Sequence, residues 1–224
     1  MEVEKLLEEL GINYNNIKLY ERALTHTSYA NENRVESYER LEYLGDAVLE
    51  LVISDYMYKN TEYEEGKMTK YRSHYVCENA NYEYSTRLKL NDYLRLGHGE
   101  EERGGKYRKA IVADIFESFI GAMYLDLGFD VVKDFIYKHV IPLIENKNIE
   151  FFDDYKSVLQ ELVQTDKKSL EYVTVKEDGP AHDKVFTIVV KIDDIIYGTG
   201  TAHSKKEAEQ IAAHDALRKA QNKL

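Results

Sequence analysis

The sequence predicts a multidomain protein: an all-α domain over residues 1–150, a linker at 151–155, and an α+β domain of order α-β-β-β-α over 156–224. Three observations predict it. Apolar residues recur at helical spacing through about residue 145, with glycines as punctuation. After Phe151 the texture changes to β-branched, largely alternating runs. The chain then closes on an alanine-rich helical stretch.

Val3–Leu10 reads as a helix stopped by Gly11. Lys18–Tyr29 reads as a second helix running into a polar turn at Asn31–Asn33. A long central helix follows, from a cap at Ser37 or a neighbour to about Tyr58. Lys67 to about Leu88 has helical period and many tyrosines. Asn91–Leu96 is turn-rich, and Gly97–Gly105 is a polar loop. Lys106–Leu127 is a strongly apolar helix ended by Gly128. Asp130–Glu145 is one more helix, tolerating Pro142 near its end. In the second domain, Lys156–Thr165 is helical. Glu171–Lys176, Val185–Ile192 and Ile195–Thr201 are strands, parted by Gly179-Pro180 and Asp193-Asp194. Ser204 caps the last helix, Lys205 to about Ala220.

Composition narrows the function classes. With 43% hydrophobic residues the chain can bury a core, and no run of about 18 apolar residues exists to span a membrane. The single Cys77 rules out an internal disulfide and suits a reducing cytosol. The acidic, amphipathic N-terminus is unlike a signal peptide, so a cytoplasmic protein is expected. The net charge is −11: residues 1–152 carry 19 basic and 28 acidic side chains, and residues 153–224 carry 11 and 13. Any binding to a polyanion must therefore use local basic patches or bridging cations.

The central helix carries the chemistry. At about 100° per residue, Glu39, Glu42, Asp46 and Glu50 fall within an arc of roughly 80°. A solvated helix face mixes charge signs; this line is purely acidic, and acids one turn apart repel by a few tenths of a kcal/mol per pair. The apolar helix at Lys106–Leu127 carries a second close pair, Asp114 and Glu117. If the two helices pack side by side, Glu42, Asp46, Asp114 and Glu117 converge, and Gly45 and Gly121 let the backbones approach. Such acids also cap helices or pair with Arg40, Arg72 or Arg108, but two pairs on two apolar helices favour a cation. Four carboxylates without nearby Cys or His suit a hard cation, Mg²⁺ with Mn²⁺ as substitute, and no organic cofactor. The fitting chemistry is phosphodiester hydrolysis. One metal supplies hydroxide and a second, roughly 3.5–4 Å away, stabilises the leaving oxygen.

Tyr38–Leu49, with its ERLEYLGDAVL, closely resembles the signature of the ribonuclease III family. Ala23–Glu32 (ALTHTSYANE) and Val112–Asp126 (VADIFESFIGAMYLD) support the match. The second domain resembles a double-stranded-RNA-binding domain, through Leu159–Glu161, Gly179–His182, Gly198–Gly200 and Ser204–Glu209. The resemblance implies a homodimeric, metal-dependent endoribonuclease that processes rRNA precursors and structured transcripts, leaving 5′-phosphate and 3′-hydroxyl ends. It places the metal ligands at Glu42, Asp46, Asp114 and Glu117, with Asp46 and Glu117 as the catalytic pair. Glu39 and Glu78 match acids that line the family's RNA cleft. In the second domain it implies RNA contacts from Gln160 and Gln164, from His182, and from Ser204, Lys205 and Lys206. His203 stands where close relatives often carry Arg. The signature helix, with Leu44, Val48 and nearby tyrosines, is the candidate dimer contact. Two other readings compete: a non-catalytic, dimeric RNA-binding scaffold, and a metal-dependent hydrolase of nucleotides or another phosphate compound.

Overall fold

The computed structural model describes residues 2–146, 155–165, 168–180 and 184–221. The chain divides into two compact units, Met1–Phe151 and Phe152–Leu224. The proposed linker, apart from Tyr155, lies outside the described residues; Tyr155 itself opens a helix.

The first unit is helical: α1 (Glu2–Leu10), α2 (Ile17–Ala23), α3 (Thr27–Asn33), α4 (Glu39–Asn60), α5 (Glu65–Tyr75), α6 (Glu78–Arg87), α7 (His98–Glu102), α8 (Lys109–Leu127), α9 (Phe129–His139) and α10 (Ile141–Glu145). Short 3₁₀ turns lie at Leu90–Tyr93 and Gly105–Tyr107. The core is built on α4 and α8. Leu49, Val52 and Ile53 of α4 are fully buried, as are Ile115, Phe116, Phe119 and Met123 of α8. Tyr84 of α6 stacks at a tilt on Phe116, centroids 5.2 Å apart.

Several stretches read as continuous helix, turn or loop from the sequence are divided or folded differently; Lys106 and Tyr107, expected to open the apolar helix, lie in the 3₁₀ turn before α8. Lys18–Tyr29 breaks at Leu24–His26 because Thr25 bridges to Arg95, with flanking backbone bonds at 2.8 and 3.0 Å. His26 then restarts the helix, its Nδ1 accepting from the Ser28 amide. The expected turn at Asn31–Asn33 is still helix, ending instead at Arg34 in the left-handed region. Lys67–Leu88 breaks at Val76–Cys77, where Cys77 is extended. Asp130–Glu145 breaks at Val140, and Pro142 sits in the first turn of the new helix, where its missing N–H costs nothing. The expected loop at Gly97–Gly105 holds α7. At the head of α4, Ser37 does not cap the backbone; its hydroxyl donates to the Glu39 carboxylate at 2.9 Å.

The second unit has α11 (Tyr155–Thr165), β1 (Leu170–Asp178), β2 (Val185–Ile192), β3 (Ile195–Ala202) and α12 (Lys205–Gln221). The sheet is antiparallel in order β1-β2-β3. Asp193 and Asp194 both take positive φ, as a two-residue hairpin turn of matching twist requires. Ala208, Ala212, Ala213 and Ala216 line the buried face of α12. They lie so close to β3 that a Cβ on Gly198 or Gly200 would overlap the carbonyl of Ala212 or Ala208. Leu159 and Val163 of α11 join Val190 and Ile192 in the same core.

Candidate active site

The acids of the site are placed by one close helix crossing. A Cβ on Gly45 would overlap the Glu117 carbonyl, and one on Gly121 would overlap the Leu41 carbonyl. The two glycines face each other across the crossing of α4 and α8, and no side chain fits between the backbones there. Ser118 locks α8 further by donating to the Ala23 carbonyl at 2.6 Å.

Glu42 and Asp46 project from α4, Asp114 and Glu117 from α8. They lie near enough to perturb one another. Glu117 is pushed up to about 8, first by burial, then by the charges of Asp46, Glu42 and Asp114. Glu42 is pushed up to about 7, first by burial, then by Asp114, Glu39 and Asp46. Asp114 is also raised by burial, although the Tyr38 hydroxyl donates to its Oδ2 at 3.0 Å. Two of the three arginines that could pair with these acids are engaged elsewhere, and Arg40 is exposed. Arg108 pairs with Glu100 at 2.8 Å, and Arg72 donates to Ser54 at 3.3 Å.

The donor set suits a hard cation: Glu42, Asp114 and Glu117 are half-buried and Asp46 is exposed beside them, all of one charge sign and near enough to act on one another. Among the described residues, no three His, Cys, Asp or Glu side chains are drawn into a closed metal cage. The convergence of the four acids is thus one of electrostatic influence and not of a closed ligand shell.

Glu39 and Glu78 are both exposed at the margin of this cluster. The charge of Glu39 reaches Glu42, and that of Glu78 reaches Asp114. Glu50 does not figure among the charges that act on the quartet.

Sequence reasoning passed over two residues. Tyr38 is buried beside His26, ring centroids 5.8 Å apart, with its hydroxyl on Asp114. Asn81 of α6 is 1% exposed and donates to Glu117 Oε1 at 2.6 Å. A signal for Asn81 was present: it falls in phase with Ala80, Tyr84 and Ser85, an amide within a buried stripe. The ALTHTSYANE segment is mostly a brace. The Gly97 amide donates to Ser28 Oγ at 2.9 Å, and the His98 amide to Glu32 at 3.1 Å.

In the second unit, Gln160 and Gln164 lie exposed one turn apart on α11. Ser204 caps α12 by accepting from the Glu207 amide at 3.2 Å. Lys205 and Lys206 are exposed in the first turn, with Lys205 paired to Glu177 at 2.7 Å. His203 is exposed beside them. His182 lies outside the described residues.

Residues 16–144 match the family model described as Ribonuclease-III-like, and residues 155–220 match the double-stranded RNA binding motif. The chain belongs to the ribonuclease III family. Ribonuclease 3 of Oceanobacillus iheyensis is 47% identical over 222 residues, spanning 97% of both chains. Ribonuclease 3 of Listeria monocytogenes is 46% identical over 221 residues, spanning 96% of both. The solved nuclease domain of ribonuclease III from Campylobacter jejuni matches with a TM-score of 0.59 at 34% identity, over 66% of this chain and 99% of that one. That structure is described as flexible in the region where it forms its dimer. In this ribonuclease III chain, the nuclease-type unit carries the acids and the second unit carries the RNA-binding motif.

Proposed function

We propose that this ribonuclease III family member is a Mg²⁺-dependent endoribonuclease that hydrolyses phosphodiester bonds in double-stranded RNA and leaves 5′-phosphate and 3′-hydroxyl ends. The observation that supports it best is the crossing at Gly45 and Gly121, which sets Glu42, Asp46, Asp114 and Glu117 against one another. These four residues would hold the cation, Mn²⁺ substituting for Mg²⁺, with Asp46 and Glu117 closest to the chemistry. When bound, the metal supplies a nucleophilic hydroxide and offsets charge on the phosphate. The chain's own part is to present these carboxylates together.

The RNA side of the proposal rests on exposed residues. Glu39 and Glu78 flank the acids. A-form duplex is read by shape, 2′-hydroxyls and phosphates. Gln160, Gln164 and the His182 loop suit the minor groove. Ser204, Lys205 and Lys206 place positive charge and a helix N-terminus toward phosphates.

A homodimer belongs to the same proposal, because two antiparallel strands ask for two sites related by a two-fold axis. Support comes from α4, where Tyr43 is 83%, Leu51 56% and Tyr58 76% exposed. Val48, an interface candidate from sequence, is instead buried within its own unit, and Leu44 is half-buried against the core. Cytoplasmic residence and rRNA-precursor and structured-transcript substrates complete the reading; among the described residues, no helix is long and apolar enough to cross a membrane.

The test is a labelled RNA duplex incubated with Mg²⁺, comparing the wild type with Glu117→Gln. Cleavage by the wild type and its loss in the variant is the expected result. Binding without cleavage by the wild type would establish the scaffold reading instead.

A further inference from the structure

Asn81 is an unusual occupant of its place. It lies on the buried stripe of α6, 1% exposed, among Ala80, Tyr84 and Ser85. Its Nδ2 donates twice, to the Val76 carbonyl at 3.2 Å and to Glu117 Oε1 at 2.6 Å. The Val76 carbonyl can only accept, so its bond alone fixes which end of the amide faces this side. The opposite atom, Oδ1, is buried with no hydrogen-bond partner among the described residues. Leaving a buried acceptor unpaired is unfavourable, and an apolar residue would fill the stripe without that penalty. The amide is therefore explained by what its donor end does.

The donor end does two things. The Val76 bond ties it to the break between α5 and α6, which satisfies a carbonyl that the interrupted helix leaves open. With the amide thus oriented, its remaining N–H falls on one oxygen of Glu117. That oxygen is engaged by a short bond, whereas among the described residues Oε2 accepts no hydrogen bond and is the oxygen available to a cation. Mg²⁺ takes carboxylates one oxygen at a time in a tight octahedron, whereas larger Ca²⁺ accepts both oxygens of a carboxylate and more ligands. Partners that orient a ligand in this way typically change metal affinity about 10–100-fold.

We propose that Asn81 is a positioning residue that holds Glu117 as a one-oxygen ligand and thereby biases the site toward small octahedral cations over Ca²⁺. This rests on the reading of Glu117 as a metal ligand.

The test uses the full chain with Mn²⁺ as the probe, its binding followed by electron paramagnetic resonance. Mn²⁺ is then displaced by Mg²⁺ or Ca²⁺, in the wild type, Asn81→Leu and Asn81→Ala. The two variants share the lost donor but differ in packing, and thermal melts report the stability of each. A loosened fold weakens both competing ions alike and leaves their ratio unmoved. The expected result is a fall of about tenfold in the Mg²⁺ to Ca²⁺ preference in both variants. A ratio within about twofold of wild type in either folded variant overturns the role of Asn81 and leaves the metal reading standing. Absence of Mn²⁺ binding by the wild type, together with no cleavage of RNA, overturns both.

Discussion

Gly45 and Glu117 face each other at the crossing of α4 and α8, and a single methyl group on Gly45 would overlap the Glu117 carbonyl. The backbone that carries one proposed ligand thus rests on the backbone between two others, Glu42 and Asp46. Gly45→Ala must part the helices. The expected loss is about 1–3 kcal/mol or more, the scale of overpacking a core. Because the acids ride on these helices, cleavage should fall even at temperatures where the variant is folded. Thermal melts and duplex cleavage below the midpoint check this; full activity in a stably folded Gly45→Ala would show that the crossing does not set the site.

The raised carboxyls predict how stability depends on pH. Glu42 and Glu117 are held near 7 and 8 in the folded state, above their ordinary value of 4.5. The folded protein therefore binds protons that the unfolded chain has released, and stability falls as pH rises from about 4.5 to 8. Chelator-treated protein should melt progressively lower across that window. Since net charge also grows more negative there, the comparison that isolates the site is Glu117→Gln. At pH 8 it should melt higher than wild type by roughly 2–4 °C, the shift of about 1 kcal/mol in a chain this size. Equal melting curves for the two at pH 8 would remove the case for a desolvated Glu117.

Proton and cation compete for the same oxygens, so apparent Mn²⁺ affinity should rise between about pH 6 and 8 and level off above it. Titration by electron paramagnetic resonance at several pH values measures this directly. Affinity that is flat across the window would mean the cation binds elsewhere.

At the other unit, Glu177 holds Lys205 at 2.7 Å and Lys184 at 3.4 Å. Lys205 must leave this pair to meet a phosphate. Glu177→Gln should therefore tighten duplex binding severalfold at low salt. It should also steepen the fall of log K with log salt, by up to about 0.9 for each further phosphate that a freed lysine neutralises. Lys206→Ala should do the reverse. An unchanged salt slope in both variants would place the phosphate contacts outside the start of α12.

Gly198 is packed under α12, where a Cβ would overlap the Ala212 carbonyl. Gly198→Ala should cost the second unit about 1–3 kcal/mol. Duplex binding should weaken most near the melting temperature of that unit, as measured by binding isotherms at two temperatures.

Much of this protein is legible in one dimension, for reasons tied to particular residues. The two-domain order follows from a change of period, from helical recurrence before Phe151 to alternation in Val185–Ile192. The acids show because like charges on apolar helices are costly, and the glycines show because mid-helix glycine is otherwise unfavourable. Helix boundaries depart from the sequence pattern where long-range partners decide them. Thr25 stops a helix by pairing with Arg95, far along the chain, and local propensity holds no trace of that bridge.

What the sequence by itself determined was the kind of chemistry: which residues are acidic, at what spacing, and on which apolar segments. Periodicity and composition are local quantities, and they carry that much. What only the tertiary structure decided was which groups touch. The crossing at Gly45 and Gly121, the Tyr38 hydroxyl on Asp114 and the Asn81 amide on Glu117 each join residues far apart in the chain. Burial then sets the energies, since a carboxylate is raised to about 8 by the neighbours that desolvate it, and those neighbours exist only once α4, α6 and α8 have packed.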